Sequence, residues 1–587
     1  MHPAATNGHG PADLILTNAN VITMDPAQPA ARAVAIRQGR ILAVGSDQDA
    51  ARWAGPGTVT RNLYGRTLLP GLYDSHNHML RAGHNLSEVD LSRARTVDDV
   101  LRAIGARAAQ TPPGEWVTTA SRWHESQLAE RRFPHLRELD AVAPRNPVLI
   151  RRGGHNVVVN SLAFQAAGIS RDTPDPPEGT YCRDPETGDL TGQCIEIWTF
   201  RRILDCLPKP TLEDHANALR AICQVYRELG ITSIIEPGLF PDEMAAFRLL
   251  AQRRELTTRS SLMWRFEPGT TAAALDACLR ELASGHVERD LSDPWVRTLA
   301  IKLSADGGVE AGYYRDPYDY NDDPKDPCGK IRISRENLVA FCTEAARRGW
   351  QLGVHCVGDA AIDTVLAAYD AVNRQVPIVD QRWTVIHMMM ARPDHWETIN
   401  RLKLAITAQQ PLVYSLGAGF LKYIGPERTR NLEPLRAYLE NCQQPVGGGS
   451  DGPTAAYPPM LAIWSSVTRQ TELAGVQGPE WAITPAQALW MYTYGSAWCG
   501  LEEDVKGSIA PGKYADLVVL SDDPRAVEVD AIKEIQALLT FVDGKLVYER
   551  EGFSADEEAL RVRATANDDD PCCAHPDDEH DHAAAGT

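Results

Sequence analysis

Two histidines one residue apart, His76 and His78, close an apolar run that begins Leu68-Leu69-Pro70-Gly71-Leu72-Tyr73. On a strand, residues i and i+2 point to the same side, so both imidazoles would face one point. Imidazoles converging at a strand end suit a transition metal, zinc above all, although an exposed turn can carry the same pair without any ligand. Later apolar runs carry or end in residues of matching chemistry: Lys302, His355, His387 and Asp451. One histidine closing an apolar strand is more often a core residue with its hydrogen bonds met. Four histidines with a lysine and an aspartate, spread over several strand ends, point instead to a metal centre.

The elements that must position these residues follow from the spacing of the apolar runs. After the opening stretch they recur at 230–237, 258–264, 299–303, 351–355, 383–387, 404–409 and 445–451, with helical patterns between them such as 212–229 and 335–348. Eight βα units predict an α/β fold, a TIM-like (β/α)8 barrel over 67–503, whose active site lies at the C-terminal strand ends. Short β-like runs at 12–66 and 504–550 are each too few for a sheet alone. Together they predict one small β-sandwich domain built from both termini. The interval 80–212 is too long for one βα connection and contains strand-like pieces of its own, so it reads as a subdomain inserted over the barrel mouth.

The formal charge of −19 argues against a nucleic-acid partner, which would require a basic face. Seven of those negative charges lie at 564–587, a segment with no basic residue that also carries His575, His580, His582, Cys572 and Cys573. Its composition predicts a disordered acidic, His-rich tail; a solvated appendage explains it better than metal scavenging. No apolar run reaches the 18 residues of a membrane helix, and the N-terminus lacks the basic start and apolar core of a secretory signal. Twelve cysteines scattered through a long chain, Cys342 and Cys356 within apolar segments, fit reduced thiols, and hence a cytoplasmic protein. The expected partner is a small-molecule substrate, with neither nucleic acid nor membrane; a homodimer is expected from fold-level analogy alone.

Several motifs resemble those of the amidohydrolase superfamily, and within it the amidohydrolase 3 group. They are Leu69-Pro70-Gly71-Leu72-Tyr73-Asp74-Ser75-His76-Asn77-His78, Ile301-Lys302-Leu303-Ser304-Ala305-Asp306-Gly307 and Val354-His355-Cys356-Val357-Gly358-Asp359. Val385-Ile386-His387, Gly449-Ser450-Asp451-Gly452-Pro453 and the late segment Gly507 to Leu517 complete the set. The resemblance runs from about residue 12 to 550. It implies a hydrolase holding one or two divalent ions, in all expectation zinc. His76 and His78 would bind one ion with Asp451 at or near it, His355 and His387 the other. Lys302 would bridge them as a carboxylated lysine, since an ammonium cannot ligate a cation. A salt bridge from Lys302 to Asp306 or Asp451 is the structural alternative, and a mononuclear site is also open.

The implied reaction is cleavage of a non-peptide C–N bond in a small amide, formamide or cyclic amide by metal-activated hydroxide, with Asp451 as general base and then acid. A deaminase, an esterase or a lactonase could use the same ligands, and a non-catalytic regulatory homologue is the remaining alternative. In the insertion, Arg152-Gly153-Gly154-His155 resembles a family segment that usually reads Asp-Gly-His, so His155 would hydrogen-bond the substrate carbonyl or oxyanion, or else serve as a structural loop histidine. Trp123, with His124 beside it, Tyr313 and Gln410 are further candidates for the substrate pocket. Asp306 and Asp359 would orient the ligands from behind.

Overall fold

A computed structural model describes residues 10–153, 156–176, 179–320 and 326–553 of the chain. Its centre is an eight-stranded sheet in which every paired neighbour is parallel. In chain order the strands are β1 (Leu72–Asp74), β2 (Ile231–Leu239), β3 (Arg259–Arg265) and β4 (Val296–Ser304). β5 (Gln351–Cys356), β6 (Thr384–His387), β7 (Ala405–Ala408) and β8 (Val446–Gly448) follow, each beside the one before. Parallel strands flanked by helices are buried on both faces, which is why they read as unbroken apolar runs; eight of the nine residues of β4 are buried.

The seam between β1 and β8 is closed just beyond the strands. Ser75 N donates to Gly448 O at 3.0 Å, Asp451 N to His76 O at 2.8 Å and His78 N to Gly452 O at 2.8 Å. The TIM-like (β/α)8 barrel is therefore completed by the same two loops that carry His76, His78 and Asp451. This is the architecture expected from the spacing of the runs.

Two further sheets pack against each other away from the barrel mouth. A four-stranded sheet runs Arg40–Gly45, Ala33–Arg37, Leu14–Thr17, Val59–Asn62. A six-stranded sheet runs Lys545–Glu549, Ala537–Val542, Leu517–Leu520, Thr67–Pro70, Asn20–Ile22, Ala30–Ala31. Leu16, Val34 and Ile36 from the first meet Val21, Leu68, Leu517 and Phe541 from the second in one apolar core. The expected boundary at residue 67 needs correction: Thr67–Pro70 pairs with Leu517–Leu520 and with Asn20–Val21, so it belongs to the small sheet. Gly71 then turns the chain into β1. A Cβ there would sit 2.2 Å from Thr232 Oγ1, so the crossing tolerates only glycine.

Between β1 and β2 a mixed sheet of five strands runs Thr180–Arg183, Leu190–Ile195, Asn156–Val159, Val148–Arg152, Val117–Thr118. Its two faces bury alternate residues: Val148, Ile150 and Val158 join one core with Ile104 and Leu139, while Leu149, Val157 and Val159 join another with Phe164 and Tyr181. The insertion thus has cores of its own. Helix Met79–Asn85, which opens this stretch, and helix Leu212–Glu228, which closes it, pack on the barrel instead, touching so closely that a Cβ at Gly83 would lie 2.3 Å from Ala218 O. Among the described residues, no helix is long and apolar enough to cross a membrane. The 564–587 tail lies outside the described residues.

Candidate metal centre

The strand ends bring four imidazoles and a carboxylate together. Asp451 Oδ1 lies 3.2 Å from His76 Nε2 and 3.2 Å from His78 Nε2. The ring of His76 is 4.8 Å from that of His387, which is 4.6 Å from that of His355. Ligand atoms of His76, His387 and Asp451 all fall within 4.8 Å of one another. Two of these residues adopt left-handed backbone, His387 at φ 66° and Asp451 at φ 57°, a conformation that non-glycine residues hold only where surrounding structure enforces it.

The protonation states suit a cation. Burial pushes His76 down to about 3, with Lys302 adding to the effect, and burial together with His355 and His76 holds His387 well below the usual histidine range. Burial opposes ionisation of Asp451, yet its contacts with His76 and His78 hold the carboxyl well below its ordinary value. At neutral pH the imidazoles of His76 and His387 are therefore neutral and face the anionic Asp451. His76 Nε2 and His387 Nδ1 are buried with no hydrogen-bond partner. Two buried imidazole nitrogens without a hydrogen bond, one of them 3.2 Å from a carboxylate oxygen, are donors that a divalent ion between them would satisfy. The donor set fits such an ion.

His355 stands slightly apart. Its Nε2 contacts Gly307 O at 3.0 Å and lies 3.5 Å from Asp306 Oδ1. Because a carbonyl only accepts, Nε2 carries the proton and Nδ1 is left as the lone-pair atom. Lys302 is buried at 6% exposure, and burial lowers it to about 7. Neither Asp306 nor Asp451 forms an ion pair with it, so the salt-bridge alternative is not realised.

Behind the ligands, three buried carboxylates spend their oxygens on backbone N–H groups. Asp74 accepts from His76 N at 3.2 Å and Ser450 N at 2.9 Å, and also binds Ser450 Oγ and Asn77 Nδ2. Glu236, within β2, accepts from Leu80 N two residues after His78. Asp306 takes Tyr313 N, Val357 N and Gly358 N at 2.8–3.0 Å. Asp74 and Glu236 escaped the sequence reading, although each leaves a signal: an acid two residues before His76, and a lone acid inside the apolar run of β2. Asp359 requires the opposite correction. Its oxygens go to Arg315 N and the Arg392 guanidinium, and it touches none of the ligand residues, because it opens helix Asp359–Asn373 and turns away from the barrel axis.

A cavity of about 1960 Å³ runs outward from the centre between the strand ends, the insertion and helix Gln410–Arg430. Trp123 and His124 line it, Trp123 with its Nε1–H donated to Arg151 O at 2.6 Å. Tyr313 and Gln410 do not line it. Only the backbone N–H of Tyr313 serves the site, through Asp306. Gln410 begins a helix directly after β7, and its Oε1 accepts from the buried Arg469. His155 lies outside the described residues; its flanking Arg152 and Asn156 both bind Glu310, at 2.8 and 2.6 Å.

An eight-stranded parallel barrel with this donor set at its C-terminal face defines a metal-dependent hydrolase. The Amidohydro_3 model of the amidohydrolase family matches residues 59–548, and the chain belongs to that family. An N-substituted formamide deformylase from Arthrobacter pascens is 30% identical over 560 residues, covering 92% of this chain and 99% of that protein. The YtcJ protein of Bacillus subtilis, named as an amidohydrolase, is 28% identical over 533 residues, covering 88% of this chain and 96% of its own. A crystal structure of an uncharacterized metal-dependent hydrolase from Pyrococcus horikoshii shares the fold, with a TM-score of 0.69 at 21% identity, covering 88% of this chain and 99% of that one. The chain is an enzyme, a metal-dependent amidohydrolase.

Proposed function

We propose that this enzyme hydrolyses the C–N bond of a small amide, formamide or cyclic amide, with zinc as its ion. The observation that carries the reading is Asp451 Oδ1 at 3.2 Å from both His76 Nε2 and His78 Nε2, beside the bare Nδ1 of His387. The identity to an N-substituted formamide deformylase over nearly its whole length supports the amide class. His76, His78 and Asp451 would hold one ion, and His355 and His387 a second. Lys302 would join them as a carbamate; burial, which lowers its amine to about 7, makes the neutral form that such chemistry needs accessible. When bound, such an ion polarises a carbonyl and makes a water molecule acidic enough to react at neutral pH.

The chain supplies the proton transfers. Asp451 is anionic and turns Oδ1 to the imidazoles, which leaves Oδ2 to take a proton from water and return it to the leaving nitrogen. His155 would donate to the substrate oxygen. Asp74 and Glu236 hold the main chain on either side of His76 and His78, so the ligands need no rearrangement when a substrate binds. Cys194, Cys223, Cys342, Cys356 and Cys499 are buried thiols outside any disulfide, which supports a reducing, cytoplasmic compartment.

Elemental analysis of purified protein tests the centre, with one or two zinc ions per chain expected. Zinc-loaded enzyme offered N-formyl amines, N-acyl amines, cyclic amides and esters should release amine from the first three. Absence of any stoichiometric divalent metal would overturn the reading.

A further inference from the structure

Arg81 follows His78 by three residues. His78 is the N-cap of helix Met79–Asn85 and Arg81 lies in its first turn, and both line the cavity. The insertion strand Val148–Arg152 contributes Arg151 to the same cavity. The two guanidiniums meet on one carboxylate: Arg81 Nη2 lies 2.8 Å from Glu88 Oε2, and Arg151 Nη1 lies 2.8 Å from Glu88 Oε1. Thr118 Oγ1 donates to the same Oε1 at 3.2 Å.

Each arginine spends one N–H of its five on Glu88, and among the described residues neither has a second carboxylate within reach. Two positive charges therefore share one negative charge. Of the next groups, Asp214 acts on His84 rather than pairing with either arginine. His84 is held neutral, mainly by burial, and its Nε2 contacts His215 Nδ1 at 2.9 Å. The adjacent Arg152 shows what saturation looks like: on the other face of the same strand it pairs with both Glu125 and Glu310. Arg81 and Arg151 thus keep unspent donors, two cations on one carboxylate, in the cavity that the ligand cluster also lines.

We propose that the substrate carries a carboxylate, which docks on Arg81 and Arg151 while its amide reaches the ligand cluster; the enzyme then acts on N-acyl or N-formyl amino carboxylates. This rests on the amide-hydrolase reading above. Two oxygens on a planar anion match guanidinium forks presented by two elements, a recognition that neither lysine nor a neutral amide reproduces.

The test compares zinc-loaded full-length enzyme on N-formyl-4-aminobutyrate and its neutral isostere N-formyl-4-aminobutyramide. Wild type should prefer the carboxylate. Arg81→Met and Arg151→Met should each raise its KM by about ten- to hundredfold with kcat little changed, and leave the neutral substrate alone. Arg81→Lys should recover only part of the loss, and zinc content with near-UV circular dichroism guards against misfolding. Equal rates on both substrates, or equal losses on both in the variants, would overturn the subsite. Should neither compound turn over, the choice of substrate fails, yet the subsite is still read by calorimetric binding of 3-phenylpropionate against 3-phenylpropionamide. Binding of the acid weakened in both variants supports it; acid binding unchanged by either substitution refutes it.

Discussion

The strand-end face of the barrel and the wall that the insertion adds above it are built by different means. At the strand ends, buried carboxylates hold main chain: Asp74 takes His76 N and Ser450 N, Glu236 takes Leu80 N, and Asp306 takes Val357 N and Gly358 N. In the wall, charged side chains hold one another across the gap between insertion and barrel. Arg81–Glu88–Arg151, Glu125–Arg152–Glu310 and Glu196–Arg332 all follow that pattern. A ligand fixed through its backbone cannot move without opening the barrel seam. A wall fixed through side-chain pairs can be re-paired by single substitutions. On the proposed reading, metal binding would belong to the barrel and substrate choice to the insertion.

The largest expected effect lies at the junction of the ligands. Asp451→Asn keeps the size of the side chain but removes both the anion and the proton acceptor. Turnover should fall by about 10²–10⁴-fold, the usual range for a lost general base, while near-UV circular dichroism stays native. Unchanged turnover would show that another group moves the proton.

Arg152→Met probes the wall. It would leave Glu125 and Glu310 as buried carboxylates without their shared counter-charge, a change that costs about 3–5 kcal/mol when one partner of a buried pair is removed. The loss should stay local. Amide exchange should rise within residues 89–207, and zinc content should hold. Faster exchange in β4 or β5 as well would mean that the insertion and barrel open as one unit.

Asp74→Asn is the matching probe of the barrel face. The amide can still accept at one oxygen but must point an NH₂ at a neighbour that now donates, Ser450 N or His76 N among them. Zinc affinity should drop by about 10–100-fold, measured as release to a chromogenic chelator, with little change in thermal stability. Retained affinity would mean that the main-chain bonds from Asp451 N to His76 O and from His78 N to Gly452 O suffice to close the seam.

The two regions also differ in how well they could be read from the sequence. Parallel strands buried on both faces must be apolar throughout, so a His, Lys or Asp at their ends stands out; His76, His78, Lys302, His355, His387 and Asp451 all stand out in this way as candidates, and the fold brings them to one cavity. Pocket residues carried no such signal. Tyr313 and Gln410 sit near ligand motifs in sequence, but a helix start or a turn sends their side chains elsewhere. Arg151 and Arg152 are adjacent, yet strand alternation sends one to Glu88 and the other to Glu310, partners 63 and 158 residues away. Such pairings belong to tertiary structure, and only the folded chain shows them.

The smallest expected effect is a pH dependence that sorts the two regions once more. His124 in the wall is pushed down to about 4, by burial first and by the nearby Arg152 second. Its ordinary value is about 6.5, so between pH 6.5 and 4 the unfolded chain binds a proton that the folded chain refuses. Stability from this group is complete above pH 6.5 and is lost as pH falls toward 4, by about 2 kcal/mol at pH 5. Acidification from pH 7.5 to 5 should therefore raise amide exchange in the insertion, and His124→Gln, which cannot take the proton, should flatten that rise. A slope of equal size in the variant would place the acid-sensitive group elsewhere, with His84, also held near 4 by burial, as the next to substitute.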